Sequence, residues 1–196
     1  MGEGVLSGKA KRAGSGRAGA GSVISRELLF TDAGLERRGP SLYLGTVSLS
    51  EIALEVGTPV YVYHADPIRE RYRMLDAALQ PLRHRICFAV KANSNLGVLR
   101  ILRELGAGAD IVSAGELARA LAAGFSPESI VFSGVGKTAA ELKAAIQARV
   151  GHLNVESTEE LELLASVAEE ARATVQVGIR VNPDVTTDTH PYISTG

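Results

Sequence analysis

From residue 86 onward, five short apolar runs begin at intervals of about 22 residues: ICFAVKAN, GADIVS, IVFSG, HLNVES and VQVGIRVN. Helical patterns lie between them. The clearest has Val98, Ile101, Leu102 and Leu105 at i, i+3, i+4 and i+7, the spacing of one apolar helix face. Three of these segments open with a hydroxyl residue followed three positions later by Glu: Ser113 with Glu116, Thr138 with Glu141, and Ser157 with Glu160. That spacing lets side chain and backbone cap each other at a helix start. Strand followed by helix is therefore the repeating unit, and continuous apolar runs suit parallel strands covered on both faces. Such a repeat either closes into an eight-stranded barrel or remains an open doubly wound sheet, and periodicity alone does not choose.

Upstream the pattern is different. Ser48 precedes Glu51 by three, apolar residues fall at 49, 52, 53 and 56, and Gly57 and Pro59 follow, which predicts a short capped helix. VYVYH, residues 60–64, reads as a strand. Asp66 as N-cap and Pro67 as first helical residue predict a helix with Ile68, Tyr72, Leu75 and Leu79 on one face. Residues 2–21 are mostly Gly, Ala, Ser and basic residues without periodicity, so a disordered tail is expected over 1–25. Its Lys9, Lys11, Arg12 and Arg17 are read as solvated charges, in preference to a targeting peptide or nucleic-acid arm.

Composition narrows the function. The 196 residues are 45% hydrophobic and 22% charged, enough for an ordinary core. A net charge of −1 gives no electrostatic reason to expect nucleic acid or an anionic membrane as partner. No run approaches the roughly 18 apolar residues of a membrane span. The single cysteine, Cys87, has no partner for an intramolecular disulfide or a Cys-based metal site, and a cytoplasmic setting is expected. His64, His84 and His152 lack ligands at metal spacing, so no metal site is expected. SGVGK, residues 133–137, lacks phosphate-loop spacing, and Gly134 and Gly136 read as a turn.

The polar interruptions of the runs are the chemical signal. Alternation places Lys91 with Ala89 and Cys87 on one face of the first strand, and Ile86, Phe88 and Val90 on the other. Asp110, Ser133, Asn154 and Arg180 interrupt the next four runs near their C-terminal ends, where both barrels and open α/β sheets place ligands. Two readings stand: Lys91 and Asp110 form a buried ion pair, or Lys91 is an amine that attacks a carbonyl.

FAVKAN, GAGADIVSAGELARALAAGF, IVFSGVGK, NVES, RVNPD and especially THPYISTG resemble the diaminopimelate decarboxylases, collinearly from Val47 to Gly196. The resemblance implies a partial (β/α)8 barrel of alanine-racemase type. Residues 26–65 would then belong to a second β-domain, and residues 66–196 would form the first five βα units. It implies pyridoxal 5'-phosphate as cofactor, carried by Lys91, with Asp110 and Arg180 beside it and an amino acid substrate. Glu116 falls within the family motif, although helix capping explains it better. His190, in THPYISTG, is read as a loop residue holding backbone. The implied reaction is decarboxylation of meso-diaminopimelate to L-lysine and carbon dioxide, by a cytoplasmic homodimer when complete. Because a whole barrel needs about 250 residues, this chain is expected to be an inactive fragment. The remaining barrel strands, the phosphate loop and the histidine that stacks on the cofactor would lie beyond it. Ornithine or arginine decarboxylases and alanine racemases share the implied lysine and barrel. A non-catalytic homologue acting through a partner is the alternative of another class.

Overall fold

A computed structural model describes residues 33–182 of the chain. The expected tail over 1–25 and the THPYISTG stretch with His190 lie outside the described residues.

Leu35–Arg38 (β1), Ser41–Leu44 (β2) and Val47–Ser48 (β3) form an antiparallel sheet in that order. Leu49–Val56 (α1) follows and ends at Gly57, whose φ of 80° is open to glycine without strain. The cap expected from Ser48 is not made: this residue is buried, closes β3, and gives the helix no side-chain hydrogen bond. VYVYH is not a strand either. Residues 57–64 join no ladder among the described residues, and Tyr61 is 89% exposed, because β-propensity without a partner leaves the backbone unpaired. The next helix, Ala65–Leu79 (α2), starts ahead of the expected cap. His64 takes the cap position, and Asp66 and Pro67 enter the first turn, where a missing N–H costs nothing. Ile68 and Tyr72 pack on the core, while Leu75 stays half exposed.

All five apolar runs then become strands: Cys87–Ala89 (β4), Gly108–Ile111 (β5), Ile130–Phe132 (β6), His152–Val155 (β7) and Val177–Ile179 (β8). Between them run Leu96–Glu104 (α3), Ala114–Ala122 (α4), Ala139–Ala148 (α5) and Thr158–Glu170 (α6). The strands pair in parallel, in the order β4-β5-β6-β7-β8. This order decides what periodicity left open. A doubly wound sheet reverses its strand order at a switch point, whereas unbroken sequential order is the winding of a barrel sector.

Ala109, Ile111, Ile130, Phe132, Leu153 and Val155 point to the helices and are buried with Leu99, Leu117, Leu142 and Leu164. Each large side chain fully buried here contributes about 1.5–3 kcal/mol. Among the described residues only this face is closed. Cys87, Ala89, Asp110, Val131, His152 and Asn154 face the other way and are half-buried. The helix starts hold the strand ends. Ser113, Thr138 and Ser157 each accept the N–H of the Glu three residues on, but only Thr138 and Glu141 bond reciprocally. Glu116 and Glu160 reach one residue further back, to the N–H groups of Val112 and Glu156, both at 2.8 Å.

Candidate functional site

Lys91 follows β4 but does not continue its pleat. Val90–Ala92 form a single 3-10 turn, closed by the Asn93 N–H donating to the Val90 carbonyl at 3.1 Å. Val90 is fully buried, so it takes the last core position and the chain tightens there. Two expectations are thereby corrected. The pleat ends at Ala89, so alternation does not set the direction of Lys91. Lys91 is also exposed, and among the described residues no ion pair joins it to Asp110. The buried-pair reading therefore fails here. What remains is an accessible primary amine at the C-terminal end of a parallel sheet, beside the small residues Ala89 and Ala92.

Asp110 lies on β5, in register with Ala89 on one side and Val131 on the other. Ser133 Oγ donates to Asp110 Oδ1 at 2.6 Å, and Asn154 Nδ2 donates to Ser133 Oγ at 3.1 Å. The direction of this row is fixed chemically. An ionised carboxylate only accepts, so the single serine proton goes to it, and the amide nitrogen fills a remaining lone pair of the hydroxyl. The short serine bond is charge-assisted, the stronger kind. Gly178 makes room for the row's far end: a Cβ built there would collide with Asn154 Oδ1 and come within 3.2 Å of His152 Nε2.

Three of the five interrupting polar groups are thus brought together as hydrogen-bonded neighbours. Arg180 is placed differently. Its N–H donates to the Val155 carbonyl at 2.9 Å, and its half-exposed guanidinium pairs with Glu156 at 3.0 Å, in the loop beside the row. Glu116 serves the backbone, as capping predicts. Cys87 is half-buried on the open face. Burial pushes its thiol up; Arg85 partly opposes this and Asp110 adds to it, so the thiolate is disfavoured.

Sequence reasoning missed the buried charge of this region, which is Lys137 and not Lys91. Its side chain is 2% exposed, and Nζ meets Gly134 O at 2.7 Å, Asn154 O at 2.6 Å and Glu160 Oε1 at 2.9 Å. Gly134, with φ of 91°, and Gly136, with φ of 67°, make the turn that folds Lys137 back over the strand ends. The glycine pair was the available signal; nothing in the spacing couples position 137 to position 160. Burial pushes the Glu160 carboxyl up, but hydrogen bonds from Lys137 and the Glu156 N–H, with the lysine charge, outweigh it and hold the group below its usual range.

Among the described residues no cluster of three or more His, Cys, Asp or Glu could hold a metal, and no helix is long and apolar enough to cross a membrane. The donor set instead fits a planar aldehyde cofactor. It offers an exposed amine beside the small residues Ala89 and Ala92, and a carboxylate held by a serine hydroxyl.

Comparison with known proteins agrees with that chemistry. Residues 65–196 match the family described as "Pyridoxal-dependent decarboxylase, pyridoxal binding domain". Diaminopimelate decarboxylase of Pseudomonas aeruginosa is 55% identical over 159 residues, covering 81% of this chain and 38% of the relative. Among solved structures, diaminopimelate decarboxylase from M. jannaschii is similar with a TM-score of 0.77 at 35% identity, over 85% of this chain and 40% of that one. The Helicobacter pylori enzyme complexed with L-lysine is similar with a TM-score of 0.71 at 43% identity, over 74% and 37%. The chain spans about 38% of the length of the curated relatives it matches. With the sequential parallel sheet and the amine-bearing strand end already in place, the family match leads to one conclusion: the chain belongs to the pyridoxal-dependent decarboxylases.

Proposed function

We propose that the whole protein decarboxylates meso-diaminopimelate to L-lysine and carbon dioxide, with pyridoxal 5'-phosphate attached through Lys91. The observation that carries this reading is the exposed Lys91 amine at the sheet's C-terminal end, beside the hydrogen-bonded row of Asp110, Ser133 and Asn154. The relatives named diaminopimelate decarboxylase, 45–55% identical among the first five, support the choice of substrate.

The bound cofactor supplies an electron sink for the pair left when carbon dioxide departs. This chain's residues do the rest. Lys91 would hold the cofactor through its side-chain amine. Asp110 presents carboxylate to the cofactor side of the sheet, and Ser133 and Asn154 hold that carboxylate in place so that no reorganisation is needed during reaction. Arg180, tied to Glu156, brings a cation to the same end of the sheet. We place the protein in the cytoplasm as a homodimer, the setting that suits a small amino acid substrate and a single free cysteine.

The test uses the full-length protein. Borohydride reduction followed by peptide mapping is expected to find the cofactor on Lys91; attachment at Lys137 or Lys143 overturns the assignment. Release of carbon dioxide from meso-diaminopimelate is expected to exceed that from ornithine, arginine or lysine. A preference for ornithine or arginine would reassign the protein to a sister decarboxylase.

A further inference from the structure

Lys137 is the most deeply held cation near the site, and the reaction as read above makes no use of it. Its position has a geometric consequence. The β6–β7 ladder ends at the pair Phe132↔Leu153. Ser133 and Asn154, the next residues along the two strands, therefore lie past the last β6–β7 pair, although Asn154 still pairs with Gly178 of β8. Ser133 is tied by its N–H to Ile111 O of β5 at 2.8 Å, and Val155 is tied to β8 through the Arg180 N–H at 2.9 Å. Between the ends of β6 and β7 the connection passes through side chains. One link is Asn154 Nδ2 to Ser133 Oγ; the other is Lys137 Nζ, which bonds the carbonyl of Gly134, directly after Ser133, and the carbonyl of Asn154 itself.

Glu160 completes the arrangement. Its Oε1 takes the third Lys137 proton at 2.9 Å, and its Oε2 accepts the Glu156 N–H at 2.8 Å, so the clamp is anchored to the first turn of α6. All three ammonium protons are used, and the side chain is shut off from solvent. Lys137 is thus built to hold backbone and has no proton left for a ligand.

We propose that Lys137, balanced by Glu160, is a positioning residue: it sets the spacing of Ser133 and Asn154 beyond the end of their ladder, and through them the orientation of Asp110 toward the cofactor. The proposal rests on reading the polar row as the cofactor face. It differs from a purely stabilising role, because a buried ion pair can often be replaced by apolar residues without loss of stability, whereas an apolar pair cannot hold two carbonyls at a fixed distance.

That difference is the test, made in the full-length protein with pyridoxal 5'-phosphate as probe. Lys137→Met alone is expected to lower the thermal midpoint, since it strands the Glu160 carboxylate. Lys137→Met combined with Glu160→Leu is expected to regain most of the midpoint of the cofactor-free protein. Its cofactor dissociation constant nevertheless stays raised by about tenfold, the size of one lost positioned hydrogen bond. Ser133→Ala alone should produce a similar rise, and adding it to the double variant should raise the constant by less than a further twofold, because both changes act on one row. A double variant that binds cofactor as tightly as the parent overturns the proposal, as does a full multiplicative loss when Ser133→Ala is added. Lys137→Gln with Glu160→Gln is the second pair, judged by the same two criteria; if neither pair folds, position and stability are inseparable and the proposal falls. Borohydride mapping in each variant separates this inference from the reading beneath it. Cofactor fixed anywhere but Lys91 in the parent defeats the site reading, whereas cofactor on Lys91 with unchanged affinity in the double variant defeats only the role of Lys137.

Discussion

At the scale of single residues, the two lysines beside the sheet's end divide the work by burial. Lys91 is exposed and bonded to no described neighbour, so removing it should leave the fold alone. In the full-length protein Lys91→Ala is expected to cut turnover by about a thousandfold or more, about 4 kcal/mol of barrier, while the thermal midpoint without cofactor stays that of the parent. Loss of folding with normal turnover per folded molecule would return Lys91 to a structural role. Gly178 is the second informative position. Gly178→Ala would push Asn154 away from Ser133, and overpacking of this kind costs about 1–3 kcal/mol. Cofactor affinity and denaturant midpoint should therefore both fall, and an unchanged midpoint would show that β8 can shift to make room.

At the scale of elements, two of the carboxylates at the helix starts, Glu141 and Glu160, tie their βα unit to the preceding one. Glu141 accepts from Thr138 N at 3.1 Å within its own helix and from Ala114 N at 3.2 Å at the start of α4. These two backbone bonds, first that of Thr138, hold its carboxyl below the usual range. Glu160 is also held low, for the reasons given above. A carboxyl whose folded value is depressed binds protons more readily when unfolded, so its contribution is fully present above the unfolded value. Stability should then hold at neutral pH and decline as pH falls below about 4.5, the ordinary value of these groups, through their lowered values. Denaturant titrations at stepped pH would check this, and Glu141→Gln should flatten the acid limb. Glu160→Leu alone, leaving Lys137 buried and unpaired, is expected to cost about 3–5 kcal/mol. A loss under about 1 kcal/mol would mean that water reaches the lysine.

At the scale of the whole molecule, the described sheet has two edges. β4 and β8 each pair on one side only, and Ile179 and Val181 are 74% exposed. Beside β4 lies an apolar hollow of about 580 Å³, lined by Ile68, Tyr72, Ile86, Phe88, Val98 and Leu102 among others. Open edges with apolar surface favour association. The 196-residue chain produced alone is accordingly expected to sediment as aggregates or mixed oligomers and to show no decarboxylation of meso-diaminopimelate. The full-length protein should be dispersed and active at the same cofactor concentration. A monodisperse, active 196-residue protein would contradict this account of its edges.

The sequence by itself determined the repeating unit and the identity of the five barrel strands, and it singled out the amine and carboxylate proposed to head the site. These are local properties: apolar runs, helical spacing, hydroxyl–Glu starts, and a lysine in a motif whose family resemblance reaches from Val47 onward. It also marked Ser133 and Asn154 as polar interruptions. It could not join them to Asp110, because contact between residues 21 to 23 positions apart depends on register. VYVYH shows the same limit from the other side: strong β-propensity makes no strand without a partner backbone. Tertiary structure decided three things that pattern and spacing left open. Sequential pairing chose the barrel sector over the doubly wound sheet, since neighbour order is invisible to periodicity. The burial of Val90 ended β4 early and set Lys91 in a tight turn, exposed to solvent. Finally, the glycine turn laid Lys137 across two strand ends and against Glu160, placing the buried charge where the linear pattern showed only a loop.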